Sequence, residues 1–205
     1  NPVSIRWFTP SIEVDLCGHA TLASARILFD YYPDRAGEEI NFDSKSGNLK
    51  VTKCNDGLCL NFPADQPIEN KLDLLFIEIL DIEPLKLLRG KDDYLAIFKN
   101  QKQIEDMQPK LFLLKKINAR GLVISAPGDE VDFVSRCFYP EAGIEEDPVT
   151  GSAHTMLTPY WANQFNKEDL EGHQLSKRGG KLNCRLVNDR VCISGNSVIY
   201  FEGTI

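Results

Sequence analysis

Glu13-Val14-Asp15-Leu16-Cys17-Gly18-His19-Ala20-Thr21-Leu22-Ala23-Ser24-Ala25-Arg26-Ile27-Leu28-Phe29 is the stretch on which the fold turns. From Gly18 onward it is rich in Ala and Leu and apolar on nearly every side, and a helix apolar all round is buried all round. Pro33 disfavours helical backbone at Tyr32, so the helix stops there. A second stretch replays the first: Asp147-Pro148-Val149-Thr150-Gly151-Ser152-Ala153-His154-Thr155-Met156-Leu157-Thr158-Pro159-Tyr160-Trp161-Ala162 also reads as a helix, small or apolar on most faces. Aligned at their starts, Cys17-Gly18-His19-Ala20-Thr21 matches Thr150-Gly151-Ser152-Ala153-His154. Each follows a strand ending in Phe-x-Pro or Phe-Tyr-Pro. A repeat of about half the chain predicts two similar lobes rather than one sheet.

Working outward, residues 4–8 read as a strand, followed after the first helix by strands over 39–42, 49–53 and 58–62. Turn signals at Lys45-Ser46-Gly47-Asn48 and Asn55-Asp56-Gly57 separate them. Residues 72–80 form an amphipathic helix pattern, 94–98 a strand, and 104–116 a helical linker interrupted at Pro109. The second half offers strands over 121–126 and 131–139 before its helix, then 173–177, 181–187, 190–194 and 198–202 after it. The expected class is therefore α+β, with two pseudo-symmetric lobes, each a rolled, mostly antiparallel sheet around a central helix. The expected division is 1–118 for the N-terminal lobe with its linker and 119–205 for the C-terminal lobe. Two strands precede the second helix and one precedes the first, so a strand or more is expected ahead of Asn1.

Composition narrows the function. Among 205 residues, 23 basic against 30 acidic side chains give a formal net charge of −7. Nucleic acid and anionic membrane, which need a basic face, are thereby poor partners. No apolar run approaches the roughly 20 residues of a membrane-spanning helix. The six cysteines show no CxxC pairing and the three histidines no metal-ligand spacing, so free thiols in the cytoplasm and no metal are expected. GxGxxG, P-loop and GxSxG motifs are absent from the sequence, which removes the dinucleotide, nucleotide and serine-hydrolase classes.

The chemistry is expected at the two glycine-led helix starts. A helix N-terminus presents unpaired N–H groups and the positive end of the macrodipole, and glycine lets a ligand approach the backbone. Two such ends facing one another would cradle a carboxylate or a developing enolate. The plainer alternative is ordinary capping, with Thr150 and Ser152 as caps. His19 and His154 both fall in these motifs; His19 is the better proton carrier, since His154 lies almost a turn into its helix. Asp147 is either a cap or a polar group aimed into the cleft. Cys17 is matched by Thr150 in the repeat, which removes one thiol of a two-cysteine racemisation. Arg178-Gly179-Gly180 reads as a surface turn and Glu145-Glu146 as a solvated pair.

These residues resemble the PhzF-like phenazine biosynthesis family of the diaminopimelate-epimerase-like fold. The resemblance rests on Arg6-Trp7-Phe8-Thr9-Pro10 through Ala23, on Arg136-Cys137-Phe138-Tyr139-Pro140 through His154, and on 174–182 and 191–202. It implies an active site between two lobes and cofactor-independent acid–base isomerisation of a small carboxylic acid. The implied catalytic residues are His19, Asp147 and Ser152, with Gly18, Ala20, Gly151 and Ala153 as substrate contacts. A homodimer is implied as well. The family's main proton-transferring glutamate lies upstream of everything matched here; Glu13 belongs to a different motif. Two competing readings are an amino-acid racemase or epimerase of the same fold, disfavoured by Thr150, and a non-catalytic ligand-binding member. A thiol enzyme using Cys17 is the third.

Overall fold

The computed structural model describes residues 2–9, 12–55 and 57–204. Asn1, Pro10 and Asp56, which figure in the readings above, lie outside the described residues. The chain opens with β1 (Val3–Ser4), β2 (Trp7–Phe8) and β3 (Glu13–Val14), then α1 (Gly18–Tyr31) and the single turn α2 (Pro33–Ala36). Three long strands follow: β4 (Glu39–Ser44), β5 (Gly47–Cys54) and β6 (Gly57–Pro63). Next come β7 (Ile68–Asn70), α3 (Leu74–Leu80), β8 (Lys86–Arg89), β9 (Asp93–Ile97), α4 (Gln101–Asp106) and α5 (Leu111–Leu114). The remainder holds β10 (Gly121–Pro127), β11 (Phe133–Phe138), α6 (Gly151–Phe165), β12 (Asp169–Gln174), β13 (Gly180–Val187) and β14 (Arg190–Gly195).

Twelve of these strands join in one curled sheet, ordered β1-β4-β5-β6-β14-β13-β12-β11-β10-β9-β8-β7, while β2 and β3 form a separate small hairpin. The sheet is mostly antiparallel, as expected; β1–β4, β9–β10 and β11–β12 are its parallel pairs among the described residues. Strands of 1–118 meet strands of 119–205 twice: β6 against β14, with Phe62 opposite Val191 and Leu60 opposite Ile193, and β9 against β10, with Leu95 opposite Val123. The lobes are thus continuous through backbone hydrogen bonds.

Alternation along the strands sends side chains to two cores. Phe42, Leu60, Phe62, Phe133 and Cys137 face inward with Phe29 of α1 and Leu157 and Trp161 of α6. Leu122, Ile124, Val134 and Phe138 face the other way, onto Phe76 and Ile79 of α3, Ile104 of α4 and Leu114 of α5. Strands β10 and β11 are buried on both faces, which explains their near-continuous apolar run. Each fully buried Phe or Leu contributes roughly 1.5–3 kcal/mol.

Four expectations need correction. Helix α1 is not buried all round: Gly18, Thr21, Ala25 and Phe29 form one buried stripe, whereas Ile27 is 41% exposed, because strands cover one side of it only. Residues 198–202 make no strand pairing despite their apolar composition. The strand expected at 173–177 is β12, shifted to Asp169–Gln174 because pairing with β13 sets its register. The second helix starts at Gly151, with Asp147 to Thr150 as its non-helical approach. Inside α6, Pro159 lacks the N–H that would bond Thr155, and the Asp65 N–H takes that carbonyl instead at 3.0 Å. Among the described residues, no helix is long and apolar enough to cross a membrane.

Candidate active site

Helices α1 and α6 meet at their N-termini. A Cβ on Gly18 would lie 3.3 Å from the Gly151 Cα, and one on Gly151 would lie 3.4 Å from the Gly18 Cα. Backbones approach this closely only where side chains are missing, so the paired glycines are a packing requirement as well as an opening for a ligand. Ala20 and Ala153 sit on the same first turns, the former half-buried and the latter fully buried; Ser152 is half-buried at the start of α6.

Neither helix is capped by the residue before it. Cys17 and Thr150 have extended backbone and make no side-chain cap bond, so the capping alternative does not hold at Thr150. The Thr150 hydroxyl donates instead to Asp147 Oδ2 at 2.5 Å, since a carboxylate is a stronger acceptor than the alternatives nearby. Asp147 is therefore not a cap. The first N–H groups of both helices stay without an intrahelical partner, and each end carries about half a positive charge. Side by side, the two ends match roughly one carboxylate.

His19 bridges the two halves. Its Nδ1 lies 3.1 Å from the Val149 carbonyl, on the approach to α6, and its Nε2 lies 3.5 Å from Cys17 Sγ. A carbonyl only accepts, so Nδ1 carries the proton and donates it to Val149. The hydrogen bond from Cys17 is the chief influence raising the His19 pKa, and the Asp147 charge adds to it against burial. Burial pushes the Asp147 carboxyl up, while the Thr150 hydroxyl, His19 and Arg120 pull it back. The two groups feel each other's charge, which raises the pKa of His19 and lowers that of Asp147 against its burial.

His154 differs. It is fully buried, its Nδ1 is 2.8 Å from the Thr150 carbonyl, and burial lowers its pKa to about 4. It stays neutral and braces the start of α6 rather than reaching its mouth.

Sequence reasoning missed Gln174. From β12 its Oε1 accepts the Thr150 N–H at 2.7 Å, and its Nε2 donates to the Asp147 carbonyl at 2.6 Å and to Thr150 Oγ1 at 3.1 Å. One amide thus holds both residues that flank the approach to α6. Ser176 also escaped notice; its hydroxyl donates to the Pro148 carbonyl at 2.7 Å. Beside these residues an open cavity of about 460 Å³ is lined by Glu146, Pro148, Ser176, Lys177 and Arg178. That volume suits a small ligand. The signal available in the sequence is the Lys177-Arg178 pair just ahead of Gly179, whose φ is positive.

The family model for phenazine biosynthesis-like proteins, PhzC-PhzF, matches residues 1–203. An uncharacterized isomerase of Pseudomonas aeruginosa is 44% identical over 201 residues, covering 98% of this chain and 77% of the relative. A mouse phenazine biosynthesis-like domain-containing protein is 39% identical over 222 residues, with 98% and 76% of the two chains covered. Among solved structures, a PhzC/PhzF protein of Clostridium difficile superposes with a TM-score of 0.90 at 37% identity, over 98% of this chain and 78% of that one. A hydroxyproline epimerase of Agrobacterium vitis, 10% identical, shares the fold alone, with a TM-score of 0.59 over 95% and 68% of the two chains. The fold is of the epimerase-like type, the function is of the isomerase kind, and the chain belongs to the phenazine biosynthesis-like, PhzC-PhzF, family.

Proposed function

We propose that this protein is an isomerase that moves a proton between two atoms of a small carboxylic acid held where α1 and α6 meet. The observation that carries the reading is the contact of Gly18 with Gly151 between two helix ends without side-chain caps. The substrate carboxylate lies against the backbone N–H groups at Gly18, Ala20, Gly151 and Ala153, where charge is stabilised without reorganisation. His19 and Asp147 assist the proton transfer, and Ser152 offers a hydroxyl to the bound acid. Lys177 and Arg178 at the neighbouring cavity favour an anion. The proton moves by acid–base chemistry alone, without a cofactor. The family likeness carries the further proposal of a cytoplasmic homodimer acting on a free small molecule.

The racemase alternative is less well supported. It needs two thiols across the substrate, and here one of the two positions is Thr150, its hydroxyl already committed to Asp147.

The test is hydrogen exchange at carbon. In deuterated buffer with a dihydro-aromatic carboxylic acid, the protein is expected to place deuterium on a ring carbon. His19→Gln and Asp147→Asn should each slow this by about 10²–10⁴-fold. Undiminished exchange in both variants would overturn the assignment, and inversion of a free amino acid at its α-carbon would transfer it to the racemase reading.

A further inference from the structure

Thr150 is 5% exposed, yet each of its polar groups has a partner. Its N–H donates to Gln174 Oε1 and its carbonyl accepts from His154 Nδ1. Its hydroxyl accepts from Gln174 Nε2 and donates to Asp147 Oδ2. A hydroxyl has one proton, so what Gln174 offers that oxygen decides where the proton goes. The Gln174 amide can sit one way only. Its Oε1 faces a backbone N–H and its Nε2 faces the Asp147 carbonyl; turned over, like groups would meet at both contacts. The NH₂ end therefore always presents a donor to Thr150 Oγ1, and the hydroxyl proton is left to Asp147. Cys137, a further neighbour of that hydroxyl, offers only a weakly accepting sulfur. Gln174 is itself held in mid-sheet, 1% exposed, paired with Ser135 of β11 and Gly180 of β13.

We infer that Gln174 is a positioning residue for Asp147, acting through the Thr150 hydroxyl: it keeps Oδ2 hydrogen-bonded and leaves Oδ1 as the oxygen that exchanges a proton with the substrate. This rests on Asp147 assisting the proton transfer, as proposed above. Asp147 is half-buried, and among the described residues its Oδ1 makes no hydrogen bond, so Oδ1 is the oxygen left for a ligand. A carboxylate tied at one oxygen keeps a single orientation, which proton transfer at fixed geometry requires. Glutamate could not take the place of Gln174. Its two acceptor oxygens would claim both the Thr150 N–H and the hydroxyl proton, turning the latter away from Asp147. The other charged or titratable groups that face Asp147 are His19 from α1, Arg120 ahead of β10, and Cys137 and Tyr139 at the end of β11.

The test follows the Asp147 carboxyl carbon by ¹³C NMR over pH, beside deuterium exchange into a dihydro-aromatic carboxylic acid. Gln174→Met, which adds no charge, the near-isosteric Gln174→Glu, and Thr150→Val should each move the Asp147 titration to higher pH. Each should also lower kcat for exchange by about tenfold to a hundredfold, with KM little changed. Thr150→Ser keeps the hydroxyl and should stay near the wild type in both readouts. In the Thr150→Val background, Gln174→Met should move the titration no further and Gln174→Glu less than it does alone, because the hydroxyl through which Gln174 acts is gone. An Asp147 titration unmoved by Gln174→Glu would overturn the inference, and so would full additivity in the double variants. The two readouts separate the claims: a wild type that exchanges no deuterium sinks the acid–base reading, while an unmoved carboxyl titration sinks the role of Gln174 alone.

Discussion

At the scale of single residues, Asp147 is the most informative. Burial disfavours its charged form, so its pKa in the fold lies above that in the unfolded chain. The folded state then binds the proton more tightly. The stability this lends is complete below the unfolded value, near pH 4, and is lost as pH rises through the raised value. Asp147→Asn stays neutral throughout. It should therefore melt at a higher temperature than the wild type at pH 7–8, with the gain fading toward pH 4, while exchange activity falls. A melting series over pH checks this; a variant less stable at every pH would show that the carboxylate is structural. His19 has the same sign for a base. Its stabilising partners count fully below about pH 6.5 and less as pH rises through its raised value. The difference in melting temperature between wild type and His19→Gln should accordingly shrink from pH 6 to pH 9. The place of His19 at the first helix start was legible from the motif. That His154 is a core brace was only half legible, because burial is decided by strands distant in sequence.

At the scale of elements, the helix starts depend on what packs around them. Gly18→Ala places a methyl 3.3 Å from the Gly151 Cα and 3.7 Å from Phe62 Cζ, whereas Gly151→Ala has the Gly18 Cα as its single close neighbour at 3.4 Å. Separating the helix ends by tenths of an ångström should weaken carboxylate binding in both variants, and more in Gly18→Ala; isothermal titration gives the order. Gln174→Leu leaves the Thr150 N–H without its acceptor in a buried setting and should cost about 1–3 kcal/mol, read from urea unfolding. The duplicated glycine motifs made both helices visible in the sequence, as did alternation for β4, β5, β6, β13 and β14. Strands β7 and β8 were not visible, being three and four residues long and without clean alternation. Gln174 was hidden for a different reason. A lone glutamine 24 residues from Thr150 carries no spacing signal until β12 pairs with β11 and β13.

At the scale of the whole molecule, one sheet carries strands of both halves, and an ion pair between the buried Asp93 and the more exposed Arg120 sits where β9 meets β10. Asp93 on β9 is 3% exposed and takes a two-pronged bond from Arg120, just before β10, with the Tyr139 hydroxyl donating to it at 3.3 Å. Arg120→Met would strand that carboxylate, and a loss of about 3–5 kcal/mol is expected by denaturant unfolding. The exposed pair Lys102–Asp106 should contribute less than about 1 kcal/mol. The repeat pointed to two helix-centred halves and not to one sheet; that a single sheet joins them, through β6–β14 and β9–β10, was not legible, since the repeat says nothing of how its copies join.

The most direct measurement of the central claim is a titration of the ¹⁵N-labelled protein with a small aromatic carboxylate, following the backbone amides by NMR. The amides of Gly18, His19, Gly151 and Ser152 should move together, along one binding curve, and lose that response in Gly18→Ala. Shifts confined to other parts of the surface, or amides of the two helix starts that titrate independently, would contradict a shared anion site.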